Sequence, residues 1–518
     1  MDDVLNLERQ EVAYSKIIYN FDKLLEIINK YYFKKTIVQC HGVFDVLHIG
    51  HIKHLQKAKA LGDILIVTLT PDRYVNKGPG RPCFSEQLRA EMLSALTCVD
   101  HIVINHWPTA VEAIQLIKPH LYVKGSEYSD VKNDISGKIV DEELVVKSLG
   151  GKLCFTDEIT FSSSSLINNF FSNLPPKISD YLKKLRSKYS FTEIESYFNK
   201  TGALNVLVVG EAIIDVYDFC SSIGKSGKEP ILVVKHNHEE KYIGGSLAIA
   251  NHISSFAKSV TCLTYLGEDK EDESFVKSKI NKNVNLDYFY RKNSPTIMKR
   301  RFLDEYLKQK LFEVYYINEG LLSSDDEKKF IDQLNKTIRN YDLVVVADYG
   351  HGLVGQEAVD VLMKKSQFLA VNTQANAGNH GFHCISKYSR ADLVCLAGRE
   401  LNLAFRNKNI SVSEGIRFLD ELYKYKNILI TSGYEGITIL DDKRTLVEAP
   451  AFTSNARDRV GAGDAVLAIT SLLMAVKMPS DIVGLIANIV GAEAINIMGN
   501  ESFVEKNNII KYILHLFK

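Results

Sequence analysis

The residues in this chain best suited to chemistry are two histidines and an aspartate, each set among glycines. In the run His41-Gly42-Val43-Phe44-Asp45-Val46-Leu47-His48-Ile49-Gly50-His51, His48 and His51 stand three apart and share one face of a helical turn. Two imidazoles placed so can donate hydrogen bonds to nucleotide phosphates. Gly50 lets a phosphate approach the backbone, and a helix N-terminus adds partial positive charge. Far along the chain, Asp458-Arg459-Val460-Gly461-Ala462-Gly463-Asp464 opens an apolar helical run over 465–476. A Gly-Ala-Gly turn at a helix start aims backbone N–H groups at one point and makes an anion hole. Asp464 at its end stands where a hydroxyl attacking a γ-phosphate would be deprotonated.

Two more glycine motifs accompany that turn. Tyr242-Ile243-Gly244-Gly245-Ser246-Leu247-Ala248-Ile249-Ala250-Asn251 puts a Gly pair before a helix, and Thr431-Ser432-Gly433-Tyr434-Glu435-Gly436 follows an apolar strand over 428–430. Any one of these could be a tight turn without function; their order along the chain carries the weight.

The elements that must hold these residues are legible as alternating apolar runs. Strands are predicted at 36–40, 64–69, 101–104, 121–123 and 152–155, with helical stretches between them, one over 90–96. Such alternation implies a parallel sheet covered on both faces, with ligands at the carboxyl ends of its strands. Residues 1–35, with apolar positions at mixed three- and four-residue spacing, read as a helical N-terminal extension. The alternation stops over 172–203, a charged helical stretch after Pro175-Pro176 that reads as a linker. It resumes at Asn205 and runs to the end, with strand-rich segments 231–234 and 296–316 suited to a small side sheet. The expected fold is α/β with two doubly wound domains, 36–171 and 204–518.

Composition bounds the rest. A chain of 518 residues allows two or three domains. Sixty-three Lys+Arg balance 63 Asp+Glu, so no net field steers nucleic acid or an acidic membrane to it, although local charge still serves small anions. Eight cysteines are spread singly with no C-x-x-C pair, which argues for buried free thiols in a reducing compartment rather than a zinc ribbon or a disulfide framework. The first residues lack a signal-peptide pattern, and the longest uncharged apolar stretch, 465–476, is too short to span a bilayer. A cytoplasmic protein is expected.

The run around His48 resembles the G-x-F-D-x-x-H-x-G-H signature of the cytidylyltransferase-like nucleotidyltransferases. Gly42, Phe44, Asp45, His48, Gly50 and His51 match it position by position, with Val43 inside the run, and the likeness covers about 36–171. It implies a Rossmann-like domain in which Lys77 serves as a phosphate-binding loop lysine, Arg89 as the family's helix arginine and Lys124-Gly125 as its K-G turn. Ser163 and Ser164, in Phe161-Ser162-Ser163-Ser164-Ser165, match a second, hydroxyl-rich signature loosely. The implied reaction is in-line attack of a substrate phosphate on a nucleotide α-phosphate with release of pyrophosphate. Catalysis would come from positioning and charge, with His48, His51, Lys77 and Mg2+ neutralising the phosphorus centre and ATP or CTP as donor.

The three later motifs, in their order, resemble the ribokinase-like (PfkB) carbohydrate kinases over about 204–518. The resemblance implies that Asp464 is the catalytic base and Gly461, Ala462 and Gly463 the anion hole. Gly433, Glu435 and Gly436 would form the nucleotide-phosphate turn. Asp215, Gly244, Gly245 and Asn251 would face the sugar, and Asn488 would lie near the adenine pocket, where helix packing explains it equally well. ATP and Mg2+ are the implied cofactors. The family's N-x-x-E motif appears as Ala397-Gly398-Arg399-Glu400, keeping Glu400 as an indirect metal contact and losing the Asn. Heptose kinases have Asp-Pro-Lys at a strand end where this chain has Asn372-Thr373-Gln374, and the stretch 375–388, with His380 and His383, departs from the family.

Together the halves resemble the bifunctional heptose kinase/adenylyltransferases in reversed domain order. The runs over 42–48 and Asp348-Tyr349-Gly350-His351-Gly352 have near counterparts there. The expectation is a bifunctional sugar-activating enzyme acting on a nucleotide and a sugar phosphate, with a homodimer through the side sheet as a family-level expectation. The alternative is an active transferase fused to a weak, ligand-binding or dimerising kinase-like domain.

Overall fold

The computed structural model describes residues 16–18, 20–75, 81–125, 138–156, 175–379, 382–452, 458 and 460–517. The chain divides into two compact units, Met1–Pro175 with Ile510–Lys518, and Pro176–Ile509.

In the first unit the described residues form a parallel sheet in the spatial order Ile17–Ile18, His101–Ile104, Ile64–Leu69, Ile37–Gly42, Leu121–Gly125, Lys152–Thr156. All of Ile64–Leu69 is buried, as expected where helices cover both faces. Strand Ile37–Gly42 lies where the order reverses, flanked by Ile64–Leu69 on one side and Leu121–Gly125 on the other. That switch point opens a crevice at the strand's carboxyl end, where the His41–His51 run begins.

The expected helical extension is corrected. Ile17–Ile18 is a parallel edge strand on His101–Ile104. The helix Phe21–Tyr31 is capped by Asn20, whose side chain accepts from the Asp22 N–H at 2.7 Å. It packs Leu24 and Ile28 into a core with Ile37, Ile64, Ile66 and Val103. β-Branched Ile17 and Ile18 gain more from an open sheet edge than from extending a helix. Residues 16–35 therefore belong to the domain.

In the second unit seven parallel strands run in the order Val284–Tyr290, Ser259–Leu266, Asn205–Gly210, Leu343–Asp348, Leu369–Thr373, Leu393–Ala397, Asn427–Thr431; Ile437–Leu440 and Leu446–Ala449 continue the sheet antiparallel. Its switch point falls at Asn205–Gly210. A second sheet, Lys310–Tyr316, Ile297–Asp304, Ala212–Lys225, Leu232–Gly245, is the expected side sheet.

The linker expectation is also corrected. Helices Pro176–Lys188 and Phe191–Thr201 pack on this unit by an apolar face of Ile178, Leu182, Leu185, Ile194 and Phe198. Tyr181 and Tyr189 donate to Asp481 at 2.8 Å each. Residues 172–174 of the expected tether lie outside the described residues. All eight cysteines are free; Cys40, Cys220, Cys262 and Cys395 are buried, and Cys83 is exposed. Among the described residues no helix is long and apolar enough to cross a membrane.

Candidate active sites

In the first unit the chain leaves strand Ile37–Gly42 and turns sharply at Phe44, whose φ of 48° is rare for a side chain of this size. A Cβ on Gly42 would come within 3.0 Å of the Phe44 ring, so glycine there makes room for the turn. Asp45, 1% exposed, closes the loop by accepting from the Cys83 N–H at 2.6 Å and pairing with Arg81 at 3.2 Å. His48 caps helix Ile49–Ala60, its Nδ1 accepting from the Gly50 N–H at 3.1 Å. The His48 and His51 rings lie 4.0 Å apart, and Phe44 meets His51 edge-on at 5.3 Å. Both imidazoles thus converge on the positive end of a helix at the switch point, an arrangement suited to a phosphate chain.

Arg89 has a different place from the one expected. It is fully buried, and its guanidinium donates to the carbonyls of Val43, Thr70 and Phe84 and to Asp72. It braces the loop that carries Val43 and Phe44 and is not presented to a ligand. Lys124 pairs with Glu142 at 2.9 Å beside Gly125. Lys77, Ser163 and Ser164 lie outside the described residues.

In the second unit Gly461, with φ 82°, caps helix Ala462–Ala475. A Cβ on Gly461 would meet the Asn500 amide oxygen at 2.3 Å, whereas above Gly463 lies open space. The helix start therefore presents bare backbone to a ligand, with Asp464 in the same turn. Tyr349 donates to Asp464 Oδ1 at 2.8 Å. Removal of the Asp464 carboxyl from water lifts it to about 7; the Tyr349 hydrogen bond resists that rise, Asp215 adds to it and Lys299 opposes it. That value suits a general base near neutral pH.

Asp215 is buried and ion-paired with Arg301. A Cβ on Gly244 would fall 2.2 Å from Asp215 Oδ2, and one on Gly245, whose φ is 60°, 2.4 Å from the Glu211 carbonyl. The Gly pair thus lets strand Leu232–Gly245 close over Asp215. Gly433–Glu435 forms a single tight turn, and Gly436, at φ 101°, passes so near Ala449 that a Cβ would lie 2.1 Å from its carbonyl oxygen.

Three expected ligands are engaged with protein. The Asn251 amide accepts from the Asn281 N–H at 2.8 Å and donates to the Lys279 carbonyl, which ties a helix to a loop instead of facing a sugar. Asn488 donates to the Ala449 and Gly484 carbonyls, which is the helix-packing role. Glu400 accepts from the Ala397 N–H at 2.7 Å and the Ala375 N–H at 3.3 Å; burial lifts it to about 7 against those two bonds. Among the described residues no group of three or more His, Cys, Asp or Glu is placed to hold a metal.

The sequence reading missed what holds Asp464 in place. Glu211, fully buried, accepts from the backbone N–H groups of Tyr349 and His351 at 3.1 and 3.0 Å. Asn376 and Asn379 donate to the Tyr349 carbonyl at 2.7 and 2.8 Å. Lys387 and Tyr388 bond Asp348 Oδ2 at 2.7 and 2.8 Å, and His383 approaches Oδ1 at 3.3 Å. Burial alone would raise the Asp348 carboxyl, but His383 and Lys387 hold it below the usual carboxylate range. The unusual stretch after Gln374 is thus the brace for the Asp348–Tyr349 turn. Its signal was the Asp348-Tyr349-Gly350-His351-Gly352 run, where Gly350 and Gly352 take φ of 70° and 96°. His380 lies outside the described residues.

This fold and these motifs agree with the comparisons. The family model for pfkB family carbohydrate kinases matches residues 203–502, more than half of the chain, and the chain belongs to that family. The cytidylyltransferase-like model matches residues 40–170, ahead of the kinase segment. Curated relatives include the bifunctional protein HldE of Syntrophotalea carbinolica, 40% identical over 26% of this chain and 26% of its own length. That of Helicobacter acinonychis is 47% identical over 22% of this chain and 24% of its own. The chain thus spans about a quarter of the length of these relatives. Escherichia coli phosphofructokinase-2, at 15% identity and a TM-score of 0.50, covers 61% of this chain and 99% of its own and shares the fold.

Proposed function

We propose that this chain is a bifunctional sugar-activating enzyme. Its second unit phosphorylates a sugar or sugar phosphate of heptose type with ATP. Its first unit transfers a nucleotidyl group from ATP or CTP to a sugar phosphate and releases pyrophosphate, for nucleotide-sugar synthesis. One observation supports the reading: in each unit, residues suited to binding phosphate stand at a helix start beside a parallel sheet, His48 and His51 in one and Gly463 and Asp464 in the other. The partial match to HldE relatives supports the pairing of activities.

In the kinase half, Asp464 takes the proton of the acceptor hydroxyl, Asp215 orients the sugar, and the Gly461–Gly463 backbone stabilises the transferred phosphoryl group. In the transferase half, His48 and His51 hold the nucleotide phosphates. Mg2+ supplies charge neutralisation between phosphates when bound. Bound with the nucleotide, it would need only one or two protein carboxylates; Glu400, the indirect contact expected from the resemblance, spends both oxygens on the Ala375 and Ala397 N–H groups. A homodimer through the four-stranded sheet belongs to the same reading, since exposed Ile223, Leu232 and Phe312 lie on its strands.

The second reading, a weak kinase-like domain, draws on Ala397 and Asn372-Thr373-Gln374, where the resembled family has an Asn, an Asp and a Lys that this chain lacks. The test is one protein in two assays. ADP formation is measured with ATP over a panel of hexoses, heptoses and their phosphates, and pyrophosphate release with ATP or CTP over sugar 1-phosphates. Activity in both supports bifunctionality. Pyrophosphate release alone, with no Asp464-dependent ADP formation, supports the second reading, and neither activity refutes both.

A further inference from the structure

The inner face of the side sheet carries a cation that the site described above does not use. Strand Ile297–Asp304 alternates buried and half-buried residues, turning Lys299 and Arg301, each 6% exposed, to the same face as Asp215. The register sets Lys299 directly opposite Asp215 on one neighbouring strand and Tyr315 on the other. Arg301 is committed to Asp215 and to Glu313. The Lys299 ammonium makes no side-chain hydrogen bond or ion pair among the described residues. Its ammonium lies 5.2 Å from the Tyr315 ring centroid and 5.8 Å from that of Tyr349, the residue bonded to Asp464. Burial lowers its pKa, with Asp215, Asp464 and Glu211 opposing.

An ammonium on a side chain this buried, facing carboxylates that do not bond it directly, is costly, and a ligand charge brought against it would offset that cost. Here that charge must arrive beside Asp464 and the bare backbone of Gly463. We propose that Lys299 binds the phosphoryl group in transit, supplying from the side sheet the cation that the strand end at Asn372-Thr373-Gln374 lacks. This role rests on the kinase reading above. In the step it serves, the acceptor O–H bond breaks and its proton passes to Asp464. An acceptor O–P bond forms as the bond from the γ-phosphorus to the bridging oxygen breaks, and that electron pair leaves on ADP. Lys299 meets the charge on the three transferring oxygens and neither gains nor loses a proton.

The test uses the full chain with an acceptor that the sugar panel shows to be turned over, and the variants Lys299→Met and Lys299→Arg. Lys299→Met should lower kcat about 10²–10³-fold with the KM of ATP and of the acceptor little changed. Lys299→Arg, which keeps the charge, should lose less. ADP binding should tighten with aluminium fluoride, magnesium and acceptor in the wild type and lose that gain in Lys299→Met, while ADP alone binds both equally. The thermal midpoint reports whether each variant is folded, and Lys299→Gln, which loses the charge but keeps a polar head, carries the comparison with Lys299→Arg if the Met variant is not. Wild-type turnover in both variants, or a loss confined to the acceptor KM, overturns the proposal. A wild type that forms no ADP with any acceptor refutes the kinase reading itself.

Discussion

Tyr349→Phe isolates a single hydrogen bond at the proposed kinase site. The hydroxyl donates to Asp464 Oδ1 at 2.8 Å and helps keep a desolvated carboxyl, lifted to about 7, from rising further. A hydrogen bond to a charged group contributes about 1.5–3 kcal/mol, and one pKa unit is about 1.4 kcal/mol. Its loss should raise Asp464 by roughly one to two units. If the ionised carboxylate is the base, the ionised fraction at pH 7 falls from about one half to between roughly one in ten and one in a hundred, so kcat/KM drops about five- to fifty-fold. The sign follows from the base being protonated: the loss is greatest at acid pH and recovers as pH rises past the new pKa. Asp215 and Lys299, the other charges acting on Asp464, are untouched by the substitution. The assay is kcat/KM for ADP formation across about pH 5–10. An acidic limb that stays at its wild-type position, with a loss equal at all pH values, would refute the reasoning and make Tyr349 a packing residue.

Asp464→Asn should cut phosphorylation about 10²–10⁴-fold without unfolding the protein. Because the folded carboxyl titrates near 7, above its ordinary value of 3.8, it destabilises the fold progressively as pH rises through that window. The variant should therefore melt higher than wild type at pH above about 7 and lose that advantage below about pH 4, as thermal scans at both ends would reveal. His48→Ala and His51→Ala should suppress pyrophosphate release and leave ADP formation intact; equal loss of both activities would contradict two separate sites. Arg89→Met leaves the carbonyls of Val43, Thr70 and Phe84 without a donor, at about 1–3 kcal/mol each, so it should lower the first unit's unfolding midpoint together with pyrophosphate release. Gly244→Ala drives a Cβ to 2.2 Å from Asp215 Oδ2 and should raise the acceptor KM far more than that of ATP.

Much of the scaffold could be read from local pattern. Strands Ile64–Leu69 and His101–Ile104 fall where the apolar runs placed them, since a parallel strand covered on both faces is mostly apolar along its length. The His48–His51 pair and the Gly461–Asp464 turn were legible because a helix start that binds phosphate needs glycine and short spacing, and both are local constraints. Ile17–Ile18 was not legible, because two apolar residues beside a helical run reveal their state only when a strand such as His101–Ile104 offers an edge. The helices at 176–201 looked like a charged tether because their apolar stripe is narrow and its partner, around Asp481, is some 300 residues away.

The side chains that tune Asp464 were beyond any reading of spacing. Tyr349 reaches it from 115 residues away, held by Glu211 and by the stretch after Gln374. Lys299 reaches the same place from another sheet. By itself the sequence determined which residues are candidates for the chemistry and that His48, His51 and Asp464 stand at helix starts, because backbone conformation and residue type are local properties. Which charges surround Asp464, and that Arg89, Asn251 and Asn488 are structural braces, only the tertiary structure decided, because burial and electrostatic coupling depend on distances in space that no spacing along the chain encodes.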